Sequence, residues 1–280
     1  MEIHYLGWSG LTFRDGGTMV VFDPFGEAAG WDALGDASCI ILCATHGHPE
    51  HVGSLKALLA EMGTRRSHVH VVSSPAVLRH LGLPGLLPAE QVHPVQVGDH
   101  VSISGTQMEA FAWRHMTLLP PGLGAKGRYA LALLRHPAAA LRIGLDGLHS
   151  PLRAPTLGYH VTFASGATVL NCSEGAHRAT PLREMEALGQ RLPSDLVTFA
   201  VEPEDVDAIP SLLRQLQTTT AVLYEAHRPW RDRFGLPIVD LASYRRALAD
   251  EVPELRVIAL TKPGQSEGVD EPDVVPVNFS

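Results

Sequence analysis

The segment His46-Gly47-His48-Pro49-Glu50-His51 brings three imidazoles and one carboxylate into six residues. Imidazole nitrogens and carboxylate oxygens are common protein ligands of divalent metal ions. In an extended loop, side chains two positions apart point the same way, so His46 and His48 can hold one ion, while Glu50 and His51 can face a second position nearby. A lone histidine would more simply cap a helix or pack in the core, but this density of ligands favours a metal site.

A strand and a helix are predicted on either side of this segment. The continuous apolar run from Cys39 to Cys43 is typical of a buried strand, and it stops at the polar residues that begin with Thr45. From Glu50 onward, apolar residues recur at three- and four-residue steps, which predicts an amphipathic helix ending near Gly63. The candidate ligands therefore lie in a loop between a core strand and a helix.

Strand-like and helix-like segments alternate through both halves of the chain. The opening predicts two strands, over residues 2–15 and 17–25, separated by the turn signal Asp15-Gly16-Gly17. Later strands are predicted at HVHVVSS, VHPVQVG, HVSIS, QMEAFAWRH, YHVTFAS, ATVLNCS, LVTFAV, AVLYEAH and LRVIAL, with helices at 75–80, 181–192, 206–216 and 241–249. Because no linker or low-complexity break interrupts the series, we predict one α/β domain over residues 1–280, with two packed sheets and helices outside.

Residues 116–157 do not follow this alternation. They are rich in Pro, Gly and Leu, and they predict a loop-rich insertion directly after His115, a candidate ligand. Loops of this length are usually functional or disordered, so a lid over a substrate is one interpretation. A surface excursion packed on the core is the other.

Composition narrows the class of protein. The formal net charge is −8 and the arginines are scattered, which disfavours nucleic acid as a substrate. The first residues carry no export signal pattern, and no apolar run is long enough to span a bilayer, so we expect a protein that is neither exported nor membrane-spanning. Three cysteines without a CxxC pair argue against a disulfide framework and favour the cytoplasm.

The histidine-rich segment resembles the HxHxDH motif of the metallo-β-lactamase superfamily, in which Thr45 is also a common preceding residue. YLGWSG and VFDPF, which come before it, are similar to the branch that contains ascorbate-6-phosphate lactonase and many metal-dependent hydrolases. VIALTKPGQ resembles the closing strand and Pro-Gly turn of the family. The resemblance covers nearly the whole chain apart from the insertion, and it implies a four-layer αββα sandwich of two mixed sheets with helices outside.

The same resemblance implies a set of metal ligands. His115 in FAWRH, Glu174 in LNCSEG and His227 in LYEAH fall where the family places its third histidine, its bridging aspartate and its last histidine. One metal would be held by His46, His48 and His115, and another by Glu50, His51 and His227, with Glu174 and a hydroxide between them. Asp23 would accept a hydrogen bond from a ligand imidazole, the alternative being a turn residue before Pro24.

Two positions depart from the family pattern, because Glu50 and Glu174 stand where it has aspartate. A glutamate carboxylate reaches roughly 1.5 Å farther from the backbone. The site has therefore either enlarged, with a different metal preference, or lost one metal. We expect a retained site and leave open whether it holds one ion or two.

The resemblance implies a metal-dependent hydrolase that uses a metal-bound water or hydroxide on a small ester, lactone or phosphate-containing substrate. Zinc is the first expectation for the ion, with manganese or iron as alternatives. Glu50 is the candidate catalytic residue, since it could accept or orient the proton of the water. The main alternative is a catalytically impaired member that acts as a binding or sensory protein. A nuclease is disfavoured by the acidic balance, and an iron-dependent oxidoreductase is a further alternative.

Overall fold

The computed structural model describes residues 1–25, 35–114, 122–148, 150–151, 154–175 and 177–268. The strands are β1 Glu2–Gly7, β2 Gly10–Asp15, β3 Thr18–Phe22, β4 Cys39–Cys43, β5 Val69–Ser73, β6 Val92–Pro94, β7 His100–Ile103, β8 Thr106–Ala112, β9 Leu157–Thr162, β10 Thr168–Asn171, β11 Leu196–Ala200, β12 Thr220–Tyr224, β13 Arg256–Leu260 and β14 Ser266–Gly268. The helices are α1 Pro49–Val52, α2 Leu55–Glu61, α3 Pro75–His80, α4 Leu123–Arg135, α5 Pro137–Leu148, α6 Leu182–Arg191, α7 Ile209–Leu216, α8 Arg228–Phe234 and α9 Leu241–Glu251. Short 3-10 helices cover Gly63–His68, Leu83–Gly85 and Ala89–Gln91.

The strands form two sheets of seven strands each. The first has the order β14-β1-β2-β3-β4-β5-β6 and the second the order β13-β12-β11-β10-β9-β8-β7. Each sheet contains three antiparallel pairings on one side and three parallel pairings on the other. In the first sheet the parallel pairings begin at β3 and β4, and in the second they begin at β10 and β11. Both halves of the chain thus build the same kind of mixed sheet.

Alternation along the strands divides the core into layers. In β4, Ile41 packs between the two sheets, whereas Ile40 and Leu42 face helices α1, α2 and α3. In β12, Val222 packs between the sheets, whereas Leu223 faces α6, α7 and α9. Strands buried on both faces are expected to be apolar throughout, as these are. The two mixed sheets with helices outside confirm the predicted αββα sandwich.

Some boundaries differ from the sequence-based prediction. The first predicted strand is divided into β1 and β2 by a turn at Trp8 and Ser9, where Trp8 has a φ of +50°. The predicted helix after Glu50 is divided into α1 and α2 at Gly53. Helix α8 and strand β14 were not predicted. The breaks at Trp8 and at Gly53 leave the spacing of apolar residues on either side unchanged, so hydrophobic periodicity alone could not reveal them.

The prediction of a loop-rich segment over 116–157 was wrong for most of its described residues. Helices α4 and α5 form a helical hairpin there, and Pro137 is the first residue of α5, where its missing N–H breaks no helical hydrogen bond. Tyr129 of α4 and Ala139 of α5 pack against Phe234 at the end of α8. Residues 115–121, 149 and 152–153 lie outside the described residues, and the lid interpretation stays a prediction.

Candidate metal centre

The candidate ligands lie in loops that follow parallel strands of both sheets. His46 follows β4 in the first sheet, while Glu174 follows β10 and His227 follows β12 in the second. Hydrogen bonds between the sheets fix these loops, since the Tyr159 hydroxyl donates to the Ala44 carbonyl oxygen over 2.9 Å. The Ser173 hydroxyl likewise donates to Thr45 Oγ1 over 2.9 Å. The two loops are therefore held against each other immediately beside the candidate ligands.

His46, His51 and Glu174 form the buried centre of the site. The distance from Glu174 Oε1 is 3.6 Å to His46 Nε2 and 3.5 Å to His51 Nε2. Each of the three residues offers one ligand atom, and these atoms lie within 4.8 Å of one another. All three side chains are buried. Three donors of the types that divalent ions prefer thus converge on one small volume.

His227 approaches the same carboxylate from the loop between β12 and α8. Its Nε2 lies 4.0 Å from Glu174 Oε1, and its Nδ1 lies 2.7 Å from Glu202 Oε1. Burial alone would lower the pKa of this imidazole, but the negative charges of Glu202 and Glu174 outweigh it and raise the pKa of His227. The contact with Glu202 orients the ring so that Nε2 faces the centre.

Asp23 organises the loop that carries the histidines. Its carboxylate accepts hydrogen bonds from the Thr45 backbone N–H over 2.8 Å and from the Thr45 hydroxyl over 2.9 Å. Its Oδ2 lies 2.9 Å from His51 Nδ1. Burial disfavours the protonated ring, but the charges of Asp23 and Glu174 outweigh it and raise the pKa of His51 to about 10. A buried anion on the far side of the imidazole is the arrangement that steadies a ligand histidine.

His48 and Glu50 lie on a more exposed side of the site. Their side chains are 20% and 28% exposed, and His48 Nδ1 lies 3.6 Å from Glu50 Oε1. The His48 ring remains next to the centre, with its centroid 4.7 Å from that of His46. His115 lies outside the described residues. The structure therefore brings three of the predicted ligands around one carboxylate oxygen of a fourth, Glu174, and places two more beside them.

The donor set fits a divalent ion. His51 is completely buried, and its Nε2 has no hydrogen-bond partner among the described residues, although it faces Glu174. An unpartnered buried nitrogen is costly unless something binds it. Ligand atoms on one tetrahedral ion are about 3.4 Å apart when its bonds are about 2.0–2.1 Å. The distances of 3.5 and 3.6 Å between these ligand atoms are close to that value.

Sequence reasoning missed Glu202 and its partner Arg231. Glu202 is 3% exposed, and its second oxygen accepts a hydrogen bond from Arg231 Nε over 2.5 Å. At the other end of the guanidinium, Arg231 Nη2 donates a hydrogen bond to Glu204 Oε2 over 2.6 Å. One signal was available, because Glu202 closely follows the buried strand β11, at the same edge of the sheet as Glu174 and His227.

Replacing Glu202 by glutamine is expected to weaken metal binding by about 10–100-fold, because an amide neither holds the His227 ring as firmly nor raises its basicity. Competition with a chromophoric chelator measures the dissociation constant. Glu204→Gln is the matched control, since Glu204 binds the same guanidinium of Arg231, whereas it is Glu202 that binds the His227 ring. An equal loss in both variants would show that the charge network acts on stability rather than on the ligand.

Gly175, directly after Glu174, is expected to tolerate no side chain. It has a φ of +90°, and an added Cβ would lie 2.3 Å from the Ala200 carbonyl oxygen. Gly166 has a similar φ of +94° but open space around it. Gly175→Ala should therefore lower the free energy of unfolding by about 1–3 kcal/mol more than Gly166→Ala does. Urea denaturation of both variants checks this, and equal losses would contradict it.

Comparison with known proteins gives one relative in sequence. No family model matches the chain. A protein named UPF0173 metal-dependent hydrolase, from Shouchella clausii, is 31% identical over 101 residues. The match covers 35% of this chain and 40% of that relative, so it spans well under half of either protein.

Solved structures resemble the chain over nearly its full length. Igni18, a metallo hydrolase from Ignicoccus hospitalis, has a TM-score of 0.64 at 13% identity and covers 95% of this chain and 97% of its own. The metallo-beta-lactamase fold protein YhfI from Bacillus subtilis has a TM-score of 0.59 at 12% identity, covering 95% and 98%. CmlA, a diiron beta-hydroxylase from Streptomyces venezuelae, has a TM-score of 0.57 at 15% identity, covering 93% of this chain and 52% of CmlA.

Proposed function

Since the chain has the metallo-β-lactamase fold, we propose that it is a metal-dependent hydrolase acting on a small ester, lactone or phosphate-containing substrate. The observation that carries this proposal is the position of Glu174 Oε1, within 3.5–4.0 Å of the Nε2 atoms of three histidines. A carboxylate among imidazoles at the carboxyl ends of strands is the arrangement expected of a functional metal site. The partial relative named a metal-dependent hydrolase supports the same activity.

The proposed ligands are the seven residues of the sequence-based prediction, namely His46, His48, Glu50, His51, His115, Glu174 and His227. A divalent ion bound by them would activate a water molecule and polarise the substrate oxygen that gains charge. Glu174 would serve both positions, which its central location supports. We leave open whether one ion or two are bound.

The surrounding residues have separate tasks in this proposal. Asp23 and Glu202 hold the far nitrogens of His51 and His227 and so fix both rings. Glu50 lies on the more exposed side, where a substrate and its water can reach it. We propose that Glu50 takes up or orients the proton of the attacking water, a role that typically contributes a factor of about 10²–10⁴ in rate.

Zinc is the proposed ion, with iron or manganese as alternatives. Nitrogen and oxygen ligands suit all three metals. CmlA, one of the structural neighbours, is a diiron enzyme, which gives iron particular weight among the alternatives.

The three cysteines are buried and free, so none of them forms a disulfide. Free cysteines support our proposal of a cytoplasmic protein.

A pocket next to the histidine-rich loop has room for a small substrate, although its lining residues include none of the proposed metal ligands. It has a volume of about 310 Å³ and is bordered by Gly47 and Pro49 of the histidine-rich loop. Small-molecule pockets usually begin at about 300 Å³. Lys56 and His80 also line it, which favours a substrate with an anionic group.

Among the described residues, no helix has both the length and the apolar character of a bilayer span.

Elemental analysis of protein purified without chelator tests the proposal. Bound zinc, manganese and iron per chain are measured in the parent protein, in His48→Ala and in His93→Ala, a control that pairs with His70 over 3.0 Å. One or two ions per chain that fall only in His48→Ala, together with turnover of ester, lactone or phosphodiester substrates, are expected. Ions without turnover would indicate a binding or sensory protein. No ion in the parent protein, even after incubation with metal, would overturn the proposal.

A further inference from the structure

The helical hairpin of α4 and α5 exposes a stripe of leucines. Nine large apolar side chains are exposed among the described residues, and five of them belong to this hairpin. Leu123, Leu134 and Leu141 are 89%, 77% and 65% exposed. The remaining two exposed leucines are Leu131 and Leu145. Exposed apolar residues are unremarkable when scattered singly, but a cluster of them marks a binding surface.

Helical geometry places the exposed leucines of each helix on one face of that helix. Leu123 and Leu134 are eleven residues apart, which is close to three turns of α4, and Leu131 lies about one turn before Leu134. Leu141 and Leu145 are one turn apart in α5. Tyr129 and Ala139 are buried against the end of α8. The hairpin is therefore fixed to the protein through one side while its leucines remain exposed.

Basic residues flank the stripe. Lys126, Arg128 and Arg135 of α4 and Arg142 of α5 are all exposed. Residues 122–148 contain these four cations and one aspartate, a formal net charge of +3, whereas the rest of the chain carries −11. The positive charge is thus concentrated beside the exposed leucines on an otherwise acidic protein.

We propose that this hairpin docks on the surface of an anionic lipid bilayer. Leucines that enter the acyl boundary, flanked by Lys and Arg that meet lipid phosphates, are the features by which amphipathic helices bind membrane interfaces. Among the described side chains of the hairpin, the exposed large apolar ones are all leucines, whereas protein interfaces are enriched in aromatic anchors. A symmetric dimer through the hairpins would place +3 against +3, so charge complementarity favours lipid over a second copy.

The segment that follows the hairpin contacts the histidine-rich loop. Pro151, shortly after α5, packs so closely on Gly47 that a Cβ at Gly47 would lie 2.2 Å from the Pro151 ring. A bilayer that holds the hairpin would therefore hold a segment that contacts the histidine-rich loop. The docking proposal itself does not depend on metal or on hydrolysis.

Cosedimentation of the full chain with sucrose-loaded vesicles tests the proposal. One set contains phosphatidylcholine alone, and the other contains equal parts of phosphatidylcholine and phosphatidylglycerol. Each Lys or Arg that contacts lipid should raise the partition coefficient for anionic vesicles about five-fold at low salt. If two of the four cations make such contacts, the partition coefficient should be about 25-fold higher for anionic than for neutral vesicles. Added salt should reduce this binding.

Two pairs of variants make the test specific. The double substitution Leu134→Glu with Leu141→Glu should reduce vesicle binding by on the order of ten-fold or more, because it places two charges in the stripe of leucines that would enter the acyl boundary. Leu182→Glu is the matched control on α6, where the leucine is also exposed. Lys126→Gln with Arg135→Gln should reduce binding to anionic vesicles, and Arg245→Gln on α9 should not. Circular dichroism confirms that each variant is folded.

Three results would overturn the proposal. The first is equal, weak binding of the parent protein to both vesicle types. The second is loss of binding in Leu182→Glu as large as the loss in the hairpin variant. The third is a dimer in light scattering that the hairpin variant converts to monomer while vesicle binding is absent, which would show that a second copy covers the stripe.

Discussion

A Glu174→Ala variant is expected to bind zinc more than about 100-fold less tightly than the parent protein, a loss greater than that caused by residues one contact away from the ion. In the parent protein, Glu174 Oε1 is the atom on which His46, His51 and His227 converge. Without it, the three imidazoles face each other with no anion between them. Hydrolysis should fall to the background rate. Isothermal titration of metal-free protein and substrate turnover measure the two effects.

Glu184→Ala provides the control for this prediction. Glu184 lies on α6 and pairs with Arg114 at the surface, so its loss should leave metal binding unchanged. Glu174→Asp tests the departure from the family pattern, because it restores the shorter residue in a site built for the longer one. We expect intermediate affinity for this variant. Undiminished metal binding in Glu174→Ala would contradict the proposed ligand set.

Removal of the Asp23 carboxylate should have the largest effect on stability. Asp23→Ala is expected to lower the free energy of unfolding by about 3–5 kcal/mol, the usual cost of breaking a buried ion pair from one side. The substitution leaves the Thr45 backbone N–H without its acceptor and removes the carboxylate that pairs with His51 Nδ1, in a completely buried position. Urea denaturation of metal-free protein measures the loss without a contribution from bound ion.

Asp23→Asn separates the hydrogen bonds from the charge. The amide oxygen can still accept from the Thr45 backbone N–H, but the negative charge beside His51 is gone. We therefore expect only part of the stability to return, because the ion pair with His51 stays broken, and we expect metal binding to be weaker than in the parent protein. If Asp23→Ala cost less than about 1 kcal/mol, the role of Asp23 in holding the loop would be wrong.

The strands that position the site could be predicted from the sequence because they are buried on both faces. Apolar runs such as Cys39–Cys43 show this directly, and the helices packed on the sheets keep a regular apolar period. The hairpin of α4 and α5 could not be predicted in this way. Glycine is enriched in it, the surrounding segment 116–157 adds several prolines, and most of its surface is exposed, so this part of the sequence has the composition of a loop.

The candidate site was only partly predictable, because side-chain direction on a short helix and contacts between strands do not follow from local spacing. Glu50 and His51 are neighbours on helix α1, where successive side chains point about 100° apart. His51 therefore faces the buried centre while Glu50 lies on the exposed side, although both were predicted to face one position. Glu202 comes from another strand, and no local spacing links it to His227. Such a contact becomes visible only when β11 and β12 are adjacent.

The division of the proposed ligands between the two sheets has a consequence for folding. His46 and His51 belong to the first sheet, whereas Glu174 and His227 are separated from them by more than a hundred residues and belong to the second. Contacts so distant in sequence form late, because a long chain segment must first be closed. Neither half of the chain can assemble the centre alone, so acquisition of metal during refolding should report the docking of the two sheets rather than the formation of either one.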